Sequence, residues 1–324
     1  MSNANTTTLK RDPFNRWLPG PQVKTHNGEP IANNMEFFDL PPPSIGEVLS
    51  ADTTLQFGES PMSSILRVGM ATGLFTGLLA VGIYLRDDPV SRRELHLVWI
   101  AGIAGAALAG VILLITRFRH AVTYVGRNGV HRSILSGNRV SASGRKTLLF
   151  GDATVLYRSC IAHYHKGIYA GTEYDYKWLD KVGKILFRAK GQHYNRKGRP
   201  IKKNLFHFAE AAEQQWTRHL YPIALAQLKQ TGSILFPQKW GRTITVTPNS
   251  IEEKGRRKTV HFPLTNVASI QMENGLLVVQ SQDAKWYSGK GKWKLDTQFA
   301  GNVLLMIQVL QELTGAQSVP EEPQ

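Results

Sequence analysis

A chain of 324 residues with 39 Lys or Arg, 24 Asp or Glu and one cysteine has a formal net charge of +15 and room for one or two cores. The lone Cys160 excludes an intrachain disulfide, so the fold is not a disulfide-stapled scaffold, and a reducing compartment suits it. An apolar content of 42% is ordinary for a globular protein, but it is distributed unevenly.

Residues 1–60 come first and read as a disordered, proline-rich arm, because GPQVKTHNGEP and three successive prolines at 41–43 break regular structure. Within it, PFNRWLPG and MEFFDLPPP hold Phe14, Trp17, Phe37 and Phe38, read as aromatics of a poorly ordered arm with no specific role, with short docking segments as the alternative. Two apolar runs follow, at 65–85 and 95–116, joined by a short loop at 86–94. The second includes LVWIAGIAGAALAGVILLIT, twenty residues without a charge, long enough to cross a bilayer as a helix. These runs predict a two-helix transmembrane hairpin. Gly69, Gly73 and Gly77 return to nearly one helix face at their spacing of four. With Gly102, Gly105, Ala106 and Gly110 on the second run, they form small-residue surfaces for close helix packing. A phosphate-binding loop is excluded, since no GxxxxGK[ST] pattern occurs and no strand precedes the glycines.

Basic residues after the second run outnumber those in the connecting loop. They predict a multi-pass protein of the bacterial inner (plasma) membrane with both termini cytoplasmic. From Arg117 onward the chain has 31 Lys or Arg against 14 Asp or Glu, whereas its first sixty residues have 4 against 7. The basic character belongs to the region beyond the apolar runs.

That region, 117–232, begins with strand-like AVTYVGRNGVHRSI, turning at Asn128-Gly129, and continues in aromatic and β-branched pieces. A helix is predicted from Phe208, Ala212, Trp216, Leu220, Ala224 and Leu228 sharing one face, bent or split at Pro222 and stopped at Gly232. Residues 233–315 form a second run of strands. A closing helix then carries Phe299, Val303, Met306, Ile307 and Leu310 toward the core and ends at Gly315, and 316–324 is a disordered tail.

A β-rich stretch of this kind, with GRTITVTPNSIEE, HFPLTNVASIQMENGLLVV and KWKLDT before one C-terminal helix, resembles the pleckstrin-homology-like fold. Within it the chain is similar to bacterial membrane-associated families of unknown function. The resemblance covers 233–315 best, with 117–232 as either a first copy or an elaboration of one domain. The expected fold class is therefore α+β: a two-helix transmembrane hairpin followed by one such domain or a tandem pair. The resemblance implies binding of lipids or proteins more readily than catalysis.

The segment RAKGQHYNRKGRPIKKN supplies Arg188, Lys190, Arg196, Lys197, Arg199, Lys202 and Lys203 without an acidic residue. It reads as a lipid-headgroup or partner-binding loop, or else as a solvated loop. His163 and His165 could reach one side of a strand near Cys160, but two histidines are too few for a metal site, and no hydrolase signature is present. The sequence thus points to a non-catalytic, membrane-anchored binding or scaffold protein without a metal or cofactor. Its expected partners are the membrane, anionic lipid, and a protein or a second copy of itself, with nucleic acid not expected. A membrane enzyme using Cys160, His163 and His165, or a structural subunit of a larger complex, are the alternatives.

Overall fold

Alternating burial marks strands with one wet face, and it recurs through this chain: Ile244 and Val246, like Trp293 and Leu295, are buried between less buried neighbours. The computed structural model describes residues 9–10, 17–55, 72–73, 103, 107, 119–136, 139–140, 144–194, 200–201, 204–255, 259–273, 275–285, 289–316 and 318–319.

The first strands are β1 (Leu9–Lys10), β2 (Val48–Thr53), β3 (Arg119–Gly126), β4 (Gly129–Ser136), β5 (Arg139–Val140) and β6 (Lys146–Leu149). Strands β2, β3, β4 and β6 form an antiparallel path, with the short β5 and β1 extending from the other end of β4. A meander of β7 (Val155–His165), β8 (Ile168–Leu179) and β9 (Ile185–His193) follows, and then helix α1 (Leu205–Thr231). The succession then recurs. A four-stranded meander of β10 (Ile234–Pro237), β11 (Thr243–Val246), β12 (Ser250–Lys254) and β13 (Thr259–Pro263) is followed by β14 (Val267–Glu273), β15 (Leu276–Ser281) and β16 (Lys292–Asp296). Helix α2 (Val303–Thr314) closes this second unit, and β17 (Ser318–Val319) pairs parallel to β14.

The expected transmembrane hairpin, and with it the multi-pass inner-membrane location, is corrected. Among the described residues no helix is long and apolar enough to cross a membrane. Helix α2 has 12 residues, about 18 Å, well short of a bilayer core. Helix α1 has 27 residues but carries Glu210, Glu213, Arg218 and Lys229 along its length, so it is amphipathic. The described chain is dominated by four sheets, antiparallel throughout except for the β14–β17 pair. The runs 65–85 and 95–116 and the loop 86–94 lie outside the described residues, apart from Thr72, Gly73, Ile103 and Ala107. Of the packing glycines only Gly73 is described, as helical and exposed; Gly69, Gly77, Gly102, Gly105, Ala106 and Gly110 lie outside.

The first sheet also moves the expected boundary at 117. Its strand β2 lies in the N-terminal region and pairs with β3 across a long stretch of sequence, Ala51 opposite Tyr124. The stem closes where the amide of Thr54 donates to Ala121 O (3.0 Å) and the amide of Ala121 donates to Thr54 Oγ1 (2.9 Å). The apolar runs are therefore inserted between two paired strands.

Nor are residues 17–55 a disordered arm. One face of β3 and β4 would otherwise present Val122 and Tyr124 to water, and the N-terminal segment covers it. Trp17 packs edge-on against Phe37 and Tyr124, each at 5.1 Å, and Val23, Phe37 and Ile45 complete a small core. Polar groups fix its position. His26 bonds Ser50 Oγ (2.8 Å) and Thr123 Oγ1 (2.9 Å), while Arg145 grips the Asp39 carboxylate with two hydrogen bonds of 2.9 and 2.7 Å. Phe14 lies outside the described residues.

Helix α1 serves both units. Phe208, Ala212 and Trp216 belong to the first core, and Ala224 and Leu228 to the second. At roughly 40 Å it is long enough to span both. It runs through Pro222 as one helix and ends at Gly232 with φ 72°, the left-handed stop that glycine tolerates.

The units are joined at Asn302, the residue before α2. Its amide donates to Leu156 O (2.9 Å), its Oδ1 accepts from the Leu156 amide (2.8 Å) and from Trp216 Nε1 (3.2 Å), and its Nδ2 donates to Thr154 O (3.1 Å). Asn302 adopts a left-handed backbone (φ 55°) and makes no side-chain cap on α2, because its amide group is bonded to the other unit.

Candidate functional site: a surface of cations and aromatics

The basic segment from Arg188 to Lys203 does not form one free patch. Arg188 and Lys190 stand on β9, and pairing with β8 brings carboxylates beside them. Arg188 binds Asp175 through two bonds of 2.8 Å, and Lys190 Nζ lies 2.6 Å from Glu173. These contacts hold both carboxyls below their ordinary range. For Asp175, burial acts in the opposite direction, but Arg188 and Lys177 outweigh it. Arg196, Lys197, Arg199, Lys202 and Lys203 lie outside the described residues.

The pairing produces a charge ladder on the outer face of β8 and β9. His163 lies 3.8 Å from Glu173, Glu173 bonds Lys190, and Asp175 bonds both Arg188 and, at 3.0 Å, Lys177. The ladder continues past β7 to Lys239 in the second unit. Lys239 Nζ stands 5.7 Å from the Tyr157 ring and 5.3 Å from the Phe299 ring, contacts that favour a cation. Burial and the nearby Lys177 nonetheless push its pKa below the usual lysine value.

Next to Lys239 is one of three non-glycine residues with a left-handed backbone among the described residues. The turn between β10 and β11 places Trp240 at φ 62°, ψ 29°, followed by Gly241 at φ 71°. Two successive left-handed residues match a type I′ hairpin turn, whose first central position favours Asn, Asp or Gly. A tryptophan there costs on the order of 1–2 kcal/mol. Its ring packs on Phe299 (4.6 Å), yet the residue is 63% exposed. A strained aromatic held out in solvent is poor for folding and is a feature expected of a contact surface. Trp240→Asn should therefore leave thermal stability unchanged or raise it by up to about 1 kcal/mol. A calorimetric loss above about 1 kcal/mol would show that the Phe299 contact outweighs the backbone strain.

Cys160, His163 and His165 are not brought together. In register Cys160 faces Tyr174 and His163 faces Gly171, three positions apart on one strand and so on opposite faces. The Cys160 side carries Arg158 and Tyr176; Arg158 forms a 3.0 Å ion pair with the buried Glu213 of α1. Although Cys160 is exposed overall, local desolvation raises its thiol pKa despite the nearby Arg158, opposite to what activates a nucleophile. Among the described residues no group of three or more His, Cys, Asp or Glu is arranged to hold a metal ion.

Sequence reading missed a Ser–His–Asp cluster under the N-terminal segment. Ser133 Oγ donates to Asp39 Oδ2 and contacts His131 Nε2 at 2.9 Å, while His131 Nδ1 meets Thr147 Oγ1 at 2.7 Å. In a hydrolase relay the imidazole bridges serine and carboxylate through its two nitrogens. Here Asp39 and Ser133 lie on the same side of His131, and Ser133 is fully buried. The cluster therefore acts as a clamp. Its members lie far apart in sequence with no shared motif, so no local signal marked it.

The chain matches no protein-family model and no curated protein.

Proposed function

We propose that this is a non-catalytic binding or scaffold protein, in which two pleckstrin-homology-like units present a cation-and-aromatic face to anionic lipid headgroups. The observation that carries this reading is Trp240, kept exposed in a costly conformation beside Lys239 at the end of the charge ladder. Tryptophan favours a headgroup layer because its ring is apolar and its N–H is polar. Lys239, and the single positive charge that Arg188 and Lys177 leave in excess over Asp175, supply attraction of roughly 1 kcal/mol per well-placed cation near such a surface. In each unit a first antiparallel sheet, six-stranded in one and four-stranded in the other, is followed by a three-stranded meander and a helix. This succession supports the pleckstrin-homology-like assignment, although fold alone does not bring a function.

The test uses the full chain, because a fragment beginning near residue 119 would remove β2 and the cover over the first sheet. Flotation is measured with phosphatidylserine–phosphatidylcholine vesicles and with phosphatidylcholine alone across a salt series. Salt-sensitive binding to the anionic vesicles, reduced at least about tenfold by combined Lys177→Ala, Lys239→Ala and Trp240→Asn, is expected. Equal binding by wild type and variant would overturn the assignment of this face.

A further inference from the structure

Resting on that reading, we infer that the β7–β8 hairpin tip is the element that inserts into the headgroup layer of an anionic bilayer. Beyond Ser159 the hairpin leaves the body of the first unit, and every residue from Cys160 to Ile168 is exposed. Apolar and aromatic side chains nevertheless concentrate there: Ile161 is 46% exposed, Tyr164 67%, Ile168 68% and the adjoining Tyr194 69%.

The tip is shaped rather than loose. Lys166 (φ 49°) and Gly167 (φ 80°) make a tight two-residue turn. The rings of Tyr164 and Tyr169 meet edge-on at 5.8 Å, and Tyr169 Oη bonds Thr172 Oγ1 at 2.7 Å. A register shift between His163 and Tyr164 bends the strand there. Gly171 gives Tyr194 room, since a Cβ at that position would come within 2.9 Å of the Tyr194 ring.

The choice of occupant follows from where these side chains point. Directly opposed residues in an antiparallel pair share a face. Tyr164 with Tyr169 therefore projects from one face of the tip, and His165 with Ile168 from the other. A protein groove would cover one of these faces, whereas a headgroup layer entered by the tip surrounds both. Lys166 at the apex has a long apolar stem and a charged end, so it can remain at headgroup level while attracting anionic lipid.

The experiment places an environment-sensitive fluorophore at Ile168→Cys in the full chain, with Cys160→Ser removing the native thiol. Thr259→Cys, on an exposed strand of the second unit, serves as a control. Phosphatidylserine–phosphatidylcholine vesicles carrying acyl-chain quenchers are then added. A blue shift and quenching at 168 but not at 259 are expected. Tyr164→Ser with Ile168→Ser should weaken vesicle binding about tenfold, in line with the apolar area it removes. Because the readout is local, attachment through any other segment leaves 168 unquenched. Vesicle binding with an unchanged signal at 168 overturns the insertion role and leaves the Lys239–Trp240 reading standing. Failure to bind anionic vesicles at all overturns both.

Discussion

Replacing Asn302 by alanine will lower stability by about 3–5 kcal/mol, among the largest effects open to one substitution outside the apolar cores. The change removes every hydrogen bond made by the Asn302 side chain. It leaves the Leu156 amide and Trp216 Nε1 without an acceptor in the buried junction between the units. A non-glycine residue also remains at φ 55°, but without the local polar contacts that make asparagine tolerable there. Asn302→Gly relieves the backbone term and still loses the bonds, so it should recover only about 1 kcal/mol of the deficit. Denaturant unfolding of the three chains checks this. An alanine variant within about 1 kcal/mol of wild type would mean that the shared helix α1, rather than Asn302, joins the units.

Acid is the second strong perturbation, and it should act on the N-terminal segment. Burial pushes the pKa of His26 down to about 3, aided by the nearby His207 and opposed by the hydrogen bond with Thr123. The ordinary value is 6.5, so between the two the unfolded chain binds a proton that the folded chain refuses. Stability contributed by His26 is thus complete above about pH 6.5 and declines below it, by at most about 1.4 kcal/mol per pH unit. His26 is only partly covered, so solvent screening keeps the loss smaller than this limit.

Asp39 adds a second step at lower pH. Burial alone would raise its pKa, but His131, Arg145 and Ser133 outweigh burial and hold it at about 2 against an ordinary 3.8. Its contribution of roughly 2 kcal/mol is present above about pH 4 and lost as pH falls toward 2. Hydrogen exchange at the Ala51 amide, which bonds Lys24 O at 2.9 Å, reports on docking of this segment. Exchange should speed up from about pH 6 downward after correction for intrinsic rates, and His26→Gln should flatten the response above pH 4. No change in protection between pH 7 and 4.5 in the wild type would sink the histidine account.

Both results depend on contacts that local sequence cannot display. The α1 face of Phe208, Ala212, Trp216, Ala224 and Leu228 was legible because residues three and four apart on a helix share one side. The α2 positions Val303, Met306 and Leu310 were legible for the same reason, as were the stops at Gly232 and Gly315, where φ is positive. The N-terminal segment was misread because its prolines are local whereas its partners are not. Asp39 meets Arg145 across 106 positions, and Trp17 packs on Tyr124.

The candidate surface divides in the same way. The excess of cations after residue 117 is a property of composition, and so is the presence of aromatics among them. That Arg188 and Lys190 face Asp175 and Glu173 is a property of strand register, which places carboxylates from 13 to 17 positions earlier directly beside them. Trp240 carries no sequence mark at all, since only the turn geometry shows that it occupies a position suited to asparagine or glycine.

By itself the sequence determined a basic, β-rich chain with two glycine-stopped helices, because charge is counted and periodicity repeats within a few residues. Tertiary structure alone decided that β2 belongs to the first sheet, that residues 17–55 cover it, and that Asn302 holds two units together. Those choices rest on pairings between distant residues, whose energies appear only once the chain has brought them into contact.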